Sequence, residues 1–209
     1  MSAARAGHAG LALAAATFIV LTLAVTRGDT AAFDRWTMDA FAAISAPATD
    51  AFFLAITWLG SAYVLIPAAA LIGLALAARR QWTDAAQLAG IYAAASLSAW
   101  LLKSVFERER PQLHAALVEI AHGDWSYPSS HATQAAAFAA GLWLLIAREG
   151  PRWRLPAGLA LAAIVLLVAA SRLHLQVHWP SDLLGGWLVA LFWAGTVAAA
   201  AGRYRENTS

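Results

Sequence analysis

The sequence contains no cysteine. This absence excludes disulfide bonds, cysteine nucleophiles, iron–sulfur clusters and zinc sites built on thiolates. Charged residues are also scarce: Asp, Glu, Lys and Arg make up 12% of the 209 residues, about half the share in an average soluble domain. Apolar residues make up 61%. Because so few polar side chains are available to face water, the composition indicates a membrane protein.

The charge pattern gives no sign of a nucleic-acid partner. The formal net charge is only +2, and no basic stripe with interleaved aromatic residues is present. Proteins that bind nucleic acid usually show both a strong positive charge and such a stripe. We therefore expect the bilayer and a membrane component, not nucleic acid, as partners.

Six long uncharged runs divide the sequence, and each is long enough, or nearly so, to cross a bilayer as a helix. We predict an all-α, polytopic membrane protein with a single domain, residues 1–209. Its six transmembrane helices are expected at about residues 8–26, 58–78, 84–103, 129–147, 155–171 and 181–202. A soluble bundle of buried helices is the alternative, but six neutral segments would leave it almost no polar face.

The distribution of basic residues predicts the orientation. With a cytoplasmic amino terminus and six crossings, the inside segments hold eight of the fourteen Lys and Arg residues. The segments at Arg79 and Arg80 and at 148–154 are short and basic, as cytoplasmic loops are. We expect an integral protein of the bacterial inner membrane with both termini in the cytoplasm.

The first apolar run has a second interpretation as a cleaved signal peptide. Only Arg5 precedes it, and Arg27 and Asp29 stand where a small, neutral cleavage region is expected. These residues favour a retained membrane anchor.

A short amphipathic helix is predicted between the first two spans. Four apolar side chains share one helical face: Phe33, Trp36, Phe41 and Ile44. Asp34, Arg35 and Asp39 fall on other faces. This pattern is typical of a helix that lies in the outer headgroup layer of a membrane.

Unusual polar residues collect in three segments: Lys103–Pro111, Pro128–His131 and Ser171–Asp182. In the six-span topology, all three lie on the outer face. Basic residues there run against the usual charge bias, which points to an anionic ligand. Helix caps and snorkelling charges explain any one of these segments, but they explain three on one face poorly.

The first segment supplies two cations. Lys103 ends an apolar helix, and Pro111 removes Arg110 from helical geometry, which frees the guanidinium to point back toward the site. A planar guanidinium beside a point charge suits a tetrahedral oxyanion such as phosphate.

The second segment opens the fourth span. Ser129 is a natural N-cap, and the amides of the first turn after it form an anion site. His131 lies beside any anion bound there, where an imidazole can protonate a leaving group. A plain serine cap with an interfacial histidine is the simpler explanation of this segment taken alone.

The third segment places a histidine next to an acid. Pro180 fits an early position of the sixth helix, so His178 lies just before that helix and Asp182 lies in its first turn. The Asp182 carboxylate can hold one imidazole nitrogen of His178 and leave the other as a nucleophile. Arg172 adds a third cation.

A metal site is the rival interpretation of this segment. His174, His178 and Asp182 are spaced four apart, as ligands on one helix face are. Pro180 would interrupt that helix, and no cysteine or further carboxylate pair completes a metal shell. We therefore expect no metal and no cofactor, with His174 at the interface or in a supporting position.

The three segments together resemble the type 2 phosphatidic acid phosphatase (PAP2) family, integral-membrane lipid phosphatases related to vanadium haloperoxidases. The family pattern is Lys-x6-Arg-Pro, then Pro-Ser-Gly-His, then Ser-Arg-x5-His-x3-Asp. The first motif matches fully at Lys103–Pro111 and the third matches fully at Ser171–Asp182. The second differs at Ser130, where the family has glycine. Three ordered motifs with intact internal spacing are a specific signal.

The resemblance implies a mechanism. His178 would attack phosphorus and form a phosphohistidine while Asp182 holds its ring, and His131 would protonate the leaving oxygen and then activate water. The remaining motif residues would hold the phosphate: Lys103, Arg110, Ser129, Ser130 and Arg172. Fixed cations would neutralise the charge without a metal. Because Ser130 replaces the family glycine, its hydroxymethyl group is expected to affect substrate preference and rate.

The predicted function is hydrolysis of a lipid phosphate or diphosphate on the periplasmic side of the membrane. Undecaprenyl-type diphosphate, phosphatidylglycerophosphate and phosphatidate all fit, and the sequence specifies neither the lipid nor the oligomeric state. Transfer of the phosphoryl group to a lipid or sugar hydroxyl is an alternative with the same chemistry. A transporter that binds phosphate headgroups without hydrolysis is the alternative of another class, although transport needs no Asp-oriented histidine.

Overall fold

The computed structural model describes residues 3–119 and 124–206, so residues 1–2, 120–123 and 207–209 of the predicted domain lie outside the described residues. The described part contains eight α-helices and one 3-10 turn. In chain order these are α1 (Ala3–Arg27), α2 (Ala31–Ala42), α3 (Pro47–Ile56), the 3-10 turn Thr57–Gly60, α4 (Ala62–Ala78), α5 (Trp82–Phe106), α6 (Ser130–Ile146), α7 (Pro151–His174) and α8 (Pro180–Glu206). No strand occurs in these two ranges, which confirms the all-α prediction.

Four helices are long and apolar enough to cross a membrane: α1 from Gly10, α5, α7, and α8 as far as Gly202. Helices α4 and α6 have 17 residues each, which gives them about 25 Å of length against about 30 Å of hydrocarbon. The sharply bent pair formed by 31–42 and 47–60 counts as a fifth candidate span. A helix coincides with each of the six predicted spans, and six full crossings remain a prediction.

Large apolar side chains cover the outward faces of the helices. Tyr63 is 83% exposed, Leu71 is 68% exposed and Leu159 is 62% exposed, whereas Arg172 and Asp182 are buried. A protein folded in water shows the opposite distribution, because exposing apolar area to water is unfavourable. The outward faces are therefore suited to lipid.

Helix α8 lies at the centre of the bundle and packs against α1, α5 and α6. The main core cluster joins α5, α6 and α8 through small and medium side chains: Ile91, Ala95, Ala137, Val189, Ala190 and Ala194. Small residues allow helix backbones to approach closely, which is the usual basis of helix association in membranes. This packing brings the first turns of α6 and α8 together.

Gly186 permits the close approach of α8 to the start of α6. A Cβ atom at this position would lie 2.9 Å from the carbonyl oxygen of Ser129 and 2.7 Å from Oγ1 of Thr133. The carbonyl oxygen belongs to the backbone and cannot turn aside as a flexible side chain would. Gly186 thus sets the spacing between two parts of the polar end of the bundle.

Replacing Gly186 with alanine is expected to lower the melting temperature of the purified protein. Overpacking costs about 1–3 kcal/mol, and each kcal/mol corresponds to about 2–4 °C in a chain of this size. Gly73→Ala in α4 is the matched control, since an added Cβ there meets nothing within 4 Å. That variant should melt at or above the wild-type temperature, because alanine is the better helix former. Equal melting temperatures for the two variants would contradict the close-packing argument.

The segment between α1 and α4 differs from the prediction. The single interfacial helix expected there is α2, but it ends at Ala42, before Ile44, and a second helix, α3, follows it. Pro47 begins α3, since proline is favoured in a first helical turn. The predicted second span was placed from about residue 58, but 57–60 form the 3-10 turn and α4 begins at Ala62.

Helix α2 faces the bundle through an acidic side chain. Phe33 and Trp36 point outward, as the amphipathic pattern predicts, whereas Asp34 and Met38 are fully buried. A buried carboxylate requires hydrogen-bonding or charged partners. Those partners belong to the polar end of the bundle.

Candidate active site

The three sequence segments meet at one end of the bundle. Lys103 lies near the end of α5 and Arg172 near the end of α7, while α6 and α8 begin at the same end. A backbone hydrogen bond of 3.0 Å from Ser129 N to Asp182 O joins the second and third segments directly. Arg110 joins the first to the third by contacting His178. Residues up to about 80 positions apart in sequence therefore share one polar region.

His178 lies in the connection between α7 and α8 and is 1% exposed. Its Nδ1 lies 3.4 Å from Oδ2 of Asp182, and its Nε2 lies 3.2 Å from Nη1 of Arg110. A guanidinium only donates hydrogen bonds, so the contact with Arg110 requires a lone pair on Nε2. The ring proton then belongs on Nδ1, toward Asp182.

The surroundings of His178 favour its neutral form. Burial lowers the pKa of His178 well below its ordinary value, and the positive charges of Arg110, Arg172 and Lys103 lower this pKa further. At neutral pH the imidazole therefore keeps its lone pair and can act as a nucleophile.

Asp182 is fully buried and held by several donors. Its carboxylate accepts hydrogen bonds from Nη1 of Arg108 at 2.6 Å, from the backbone N of Trp179 at 2.8 Å and from the hydroxyl of Ser126. These bonds fix the orientation of the carboxylate that faces His178. Asp182 was predicted from the sequence, whereas Arg108 and Ser126 were not.

Arg108 links the site to α2. Its Nη2 lies 2.8 Å from Oδ2 of Asp34, and its Nη1 lies 2.7 Å from the hydroxyl of Ser181. Asp34 also accepts hydrogen bonds from the backbone N and the hydroxyl of Ser181, at 3.0 and 2.7 Å. The sequence offered two arginines in Glu-Arg-Glu-Arg, and only the proline after Arg110 distinguished them. The structure identifies Arg108 as part of the polar cluster, because the buried Asp34 carboxylate pairs with it.

Lys103 and Arg110 converge on Asp124. The Lys103 Nζ lies 3.0 Å from Oδ1 of Asp124, and the Arg110 Nη2 lies 2.6 Å from Oδ2. Burial acts to raise the pKa of Asp124, but the charges of Lys103 and Arg110 outweigh burial and hold this pKa below its ordinary value. Asp124 was not among the site residues predicted from the sequence.

The second segment has the predicted local structure. Ser129 is the N-cap of α6, with its hydroxyl accepting from the backbone N of Ala132 at 3.5 Å. Ser130 is the first residue of α6, and His131 lies in the same turn. Both side chains are partly buried.

The 3-10 turn contacts two of the predicted site residues, Arg172 and His131. Nη1 of Arg172 donates to the Thr57 hydroxyl at 2.8 Å. A Cβ on Gly60 would lie 3.3 Å from the carbonyl oxygen of His131 and 3.5 Å from its Cβ, so this glycine packs directly on the His131 backbone. No role of this turn was predicted from the sequence, because its contacts are with helices far away in the chain.

The spacing of His174, His178 and Asp182 does not produce a metal site. The three residues lie in α7, in the connection and in α8, so they do not share a helix face. His174 is buried and its Nε2 lies 2.7 Å from Oδ1 of Asp50 in α3. Within 3–119 and 124–206, no group of three or more His, Asp or Glu side chains is arranged to hold a metal ion. His174 instead connects α3 to α7.

The family model of the PAP2 superfamily matches residues 84–205. This range runs from the first turn of α5 into the last turns of α8 and includes all three motifs. The chain belongs to the PAP2 superfamily. The resemblance stated from the motifs is thereby confirmed.

The relatives are membrane phosphatases of lipid metabolism. Phosphatidylglycerophosphatase B of Bacillus subtilis is 27% identical over 177 residues, which cover 83% of this chain and 86% of that protein. The crystal structure of a transmembrane PAP2 type phosphatidylglycerolphosphate phosphatase from Bacillus subtilis matches with a TM-score of 0.84 at 25% identity, covering 92% of this chain and 96% of that chain. The undecaprenyl-diphosphatase of Sulfolobus acidocaldarius is 38% identical over 73 residues, or 35% of this chain and 32% of that protein. With its apolar helices, this PAP2 chain is an integral membrane protein.

Proposed function

We propose that this PAP2 protein hydrolyses a lipid phosphate or diphosphate through a phosphohistidine intermediate on His178, without a metal ion. The observation that carries the proposal is the placement of His178 between Asp182 on Nδ1 and Arg110 on Nε2. This arrangement fixes the tautomer of a neutral imidazole and turns its lone pair toward a cation that can bind the phosphate.

In the first step, Nε2 of His178 attacks phosphorus and the bond from phosphorus to the leaving oxygen breaks. His131 donates a proton to that oxygen, which leaves as an alcohol or, from a diphosphate, as a lipid monophosphate. The imidazole of His178 becomes cationic as the P–N bond forms, and the Asp182 carboxylate stabilises that charge. In the second step, His131 takes a proton from water, the oxygen attacks phosphorus, and the P–N bond breaks to release inorganic phosphate.

The charge that develops on the phosphoryl oxygens is met by fixed positive groups. Lys103, Arg110 and Arg172 supply three cations, and the first turn of α6 after Ser129 supplies backbone amides and the positive end of a helix dipole. Ser130 adds a hydroxyl at this turn. Because these groups are already in place, they stabilise the transition state without reorganisation.

The position of the site supports a lipid substrate. The polar cluster lies at one end of helices whose outward faces are apolar, so a lipid can keep its tail in the bilayer while its headgroup enters the site. The names of the relatives point to phosphatidylglycerophosphate and undecaprenyl diphosphate as substrates to test, with phosphatidate as a third. The bias of basic residues toward the opposite loops supports a periplasmic site and cytoplasmic termini.

Purified protein should release inorganic phosphate from at least one lipid in a panel of phosphatidylglycerophosphate, undecaprenyl diphosphate and phosphatidate. We expect the rate to be unchanged by EDTA, since the proposed chemistry uses no metal. The measurement is free phosphate together with the lipid product by mass spectrometry. A phosphorylated acceptor without free phosphate would indicate the transferase, and binding without turnover would indicate the transporter. Activity lost in chelator and restored by zinc would contradict the metal-free mechanism.

A further inference from the structure

We propose that the Asp124 carboxylate is an internal competitor of the substrate phosphate and that it selects against headgroups with a single negative charge. The inference rests on the proposed function, because it assigns Lys103 and Arg110 to the phosphate. In the structure these two cations hold the two oxygens of the Asp124 carboxylate, and a phosphate that binds in the same place between Lys103 and Arg110 displaces the carboxylate.

The donors of Arg110 are nearly all engaged. Nε donates to the carbonyl oxygen of Asp124 at 2.8 Å, and Nη1 faces both the carbonyl oxygen of Val177 at 2.6 Å and Nε2 of His178. Nη2 donates to the Asp124 carboxylate at 2.6 Å. Four of the five N–H donors of Arg110 are thus engaged and one on Nη2 is left, so a phosphate that binds Arg110 through more than this one donor competes with the Asp124 carboxylate.

Asp124 occupies Lys103 as well as Arg110, so Arg172 is the one cation of the three motifs that has no acid partner among the described residues. Lys103 and Arg110 pair with Asp124, and Arg108 pairs with Asp34 and Asp182. Arg172 has no carboxylate partner among residues 3–119 and 124–206, and its buried Nε has no hydrogen-bond partner there. A phosphate therefore gains Arg172 directly but obtains the other two cations by exchange with Asp124.

The carboxylate can leave without disturbing its segment. The Asp124 side chain is 45% exposed, so it can turn toward water, where a carboxylate is well solvated. The segment is also held by hydrogen bonds to its main chain that do not involve the carboxylate. The Arg110 side chain donates to the Asp124 carbonyl oxygen, the Lys103 side chain donates to the Trp125 carbonyl oxygen, and the backbone N of Ser126 donates to the carbonyl oxygen of Arg108 at 2.7 Å.

The exchange favours ligands of higher charge. A phosphomonoester or diphosphate headgroup carries about two or more negative charges near neutral pH, whereas a phosphodiester headgroup carries one. A monoanion gains little by replacing another monoanion between the same two cations, while a dianion gains additional Coulomb energy. Asp124 thus helps the site to reject the phosphodiester lipids that surround it in a membrane.

The test compares binding of inorganic phosphate to the wild type, to Asp124→Asn and to Asp39→Asn, by isothermal titration calorimetry in detergent. We expect Asp124→Asn to bind phosphate about tenfold more tightly, because a neutral amide competes weakly for two cations. Asp39 is the matched control: it is an exposed acid in α2 that pairs with His114, so its removal changes the net charge by the same amount. Equal or weaker binding by Asp124→Asn would show that the carboxylate organises the cations and would overturn the inference.

A second readout tests the selection. Phosphatidylglycerol in mixed micelles should inhibit Asp124→Asn at concentrations that leave the wild type and Asp39→Asn active, and equal inhibition of all three would overturn the selective role. Asp124→Ser provides a second uncharged variant with the same expectation, if Asp124→Asn is poorly folded.

The two proposals fail differently. Absence of phosphate binding by the wild type would refute the proposed function together with this inference, whereas wild-type binding unchanged in both Asp124 variants would refute the inference alone.

Discussion

Replacing His178 with alanine is expected to reduce phosphate release by about 10⁴-fold or more, because removal of a covalent nucleophile eliminates the reaction path through its intermediate. The residual rate would come from the cations, which still bind and polarise the phosphate. The measurement is the steady-state rate of phosphate release from the preferred lipid at saturating concentration. His114→Ala is the matched control, since this exposed histidine lies at the same end of the protein and pairs with Asp39, which is outside the proposed catalytic group.

The covalent intermediate gives this prediction a second readout. Wild-type protein quenched during turnover of a labelled phosphate substrate should carry an acid-labile phosphoryl group on His178, detectable by mass spectrometry at neutral or basic pH. The group should be missing from His178→Ala and present in His114→Ala. Turnover of His178→Ala at the wild-type rate, in a protein with an unchanged melting temperature, would refute the nucleophile assignment.

Replacing His131 with alanine is expected to produce a loss that depends on the leaving group. With a lipid phosphate the leaving oxygen needs a proton, and loss of the general acid should slow release by about 10²–10⁴-fold. With p-nitrophenyl phosphate the phenolate leaves without a proton, so formation of the phosphohistidine should be nearly unaffected. Hydrolysis of the intermediate still needs His131 to activate water, and this second step should become slow for both substrates.

A fast first step with p-nitrophenyl phosphate followed by a slow second step predicts a kinetic burst. His131→Ala should release about one equivalent of p-nitrophenol per enzyme molecule and then continue slowly, because the phosphohistidine accumulates. Stopped-flow absorbance measures the burst, and His178→Ala is the control that should show none. Equal losses with the two substrates and no burst would contradict the assignment of His131 as acid and base. His131 would then be a residue that only shapes the turn packed against Gly60.

The connection between α2 and the buried Asp182 carboxylate gives the amphipathic segment a structural role. Asp34 and Asp182 share Arg108, so the orientation of Asp182 depends on a helix that lies about 150 residues earlier in the chain. Each carboxylate is buried, and either would be left uncompensated without the guanidinium between them. Helix α2 therefore helps to hold the acid that orients His178.

The sequence by itself determined the features that depend on composition and on contacts within a turn. The uncharged runs predicted an all-helical membrane protein because the bilayer leaves a spanning segment few other ways to satisfy its backbone. Ser129 was predicted as an N-cap, and Asp182 was predicted beside His178, because both contacts lie within four residues along the chain. The three motifs indicated the family for a related reason, since the spacing inside each motif is preserved in the sequence.

Only the tertiary structure decided which charges meet. Arg108 and Arg110 are two residues apart, and the proline after Arg110 indicated only that residue, but in the structure Arg108 contacts Asp182 while Arg110 contacts His178 and Asp124. The bend between α2 and α3 and the contact of Thr57 with Arg172 were likewise absent from the prediction. These contacts join residues that are separated by up to 115 positions. Local propensity contains no information about pairs so far apart in the chain. Which acids and bases come into contact depends on helix packing, which brings only some of them within hydrogen-bonding distance.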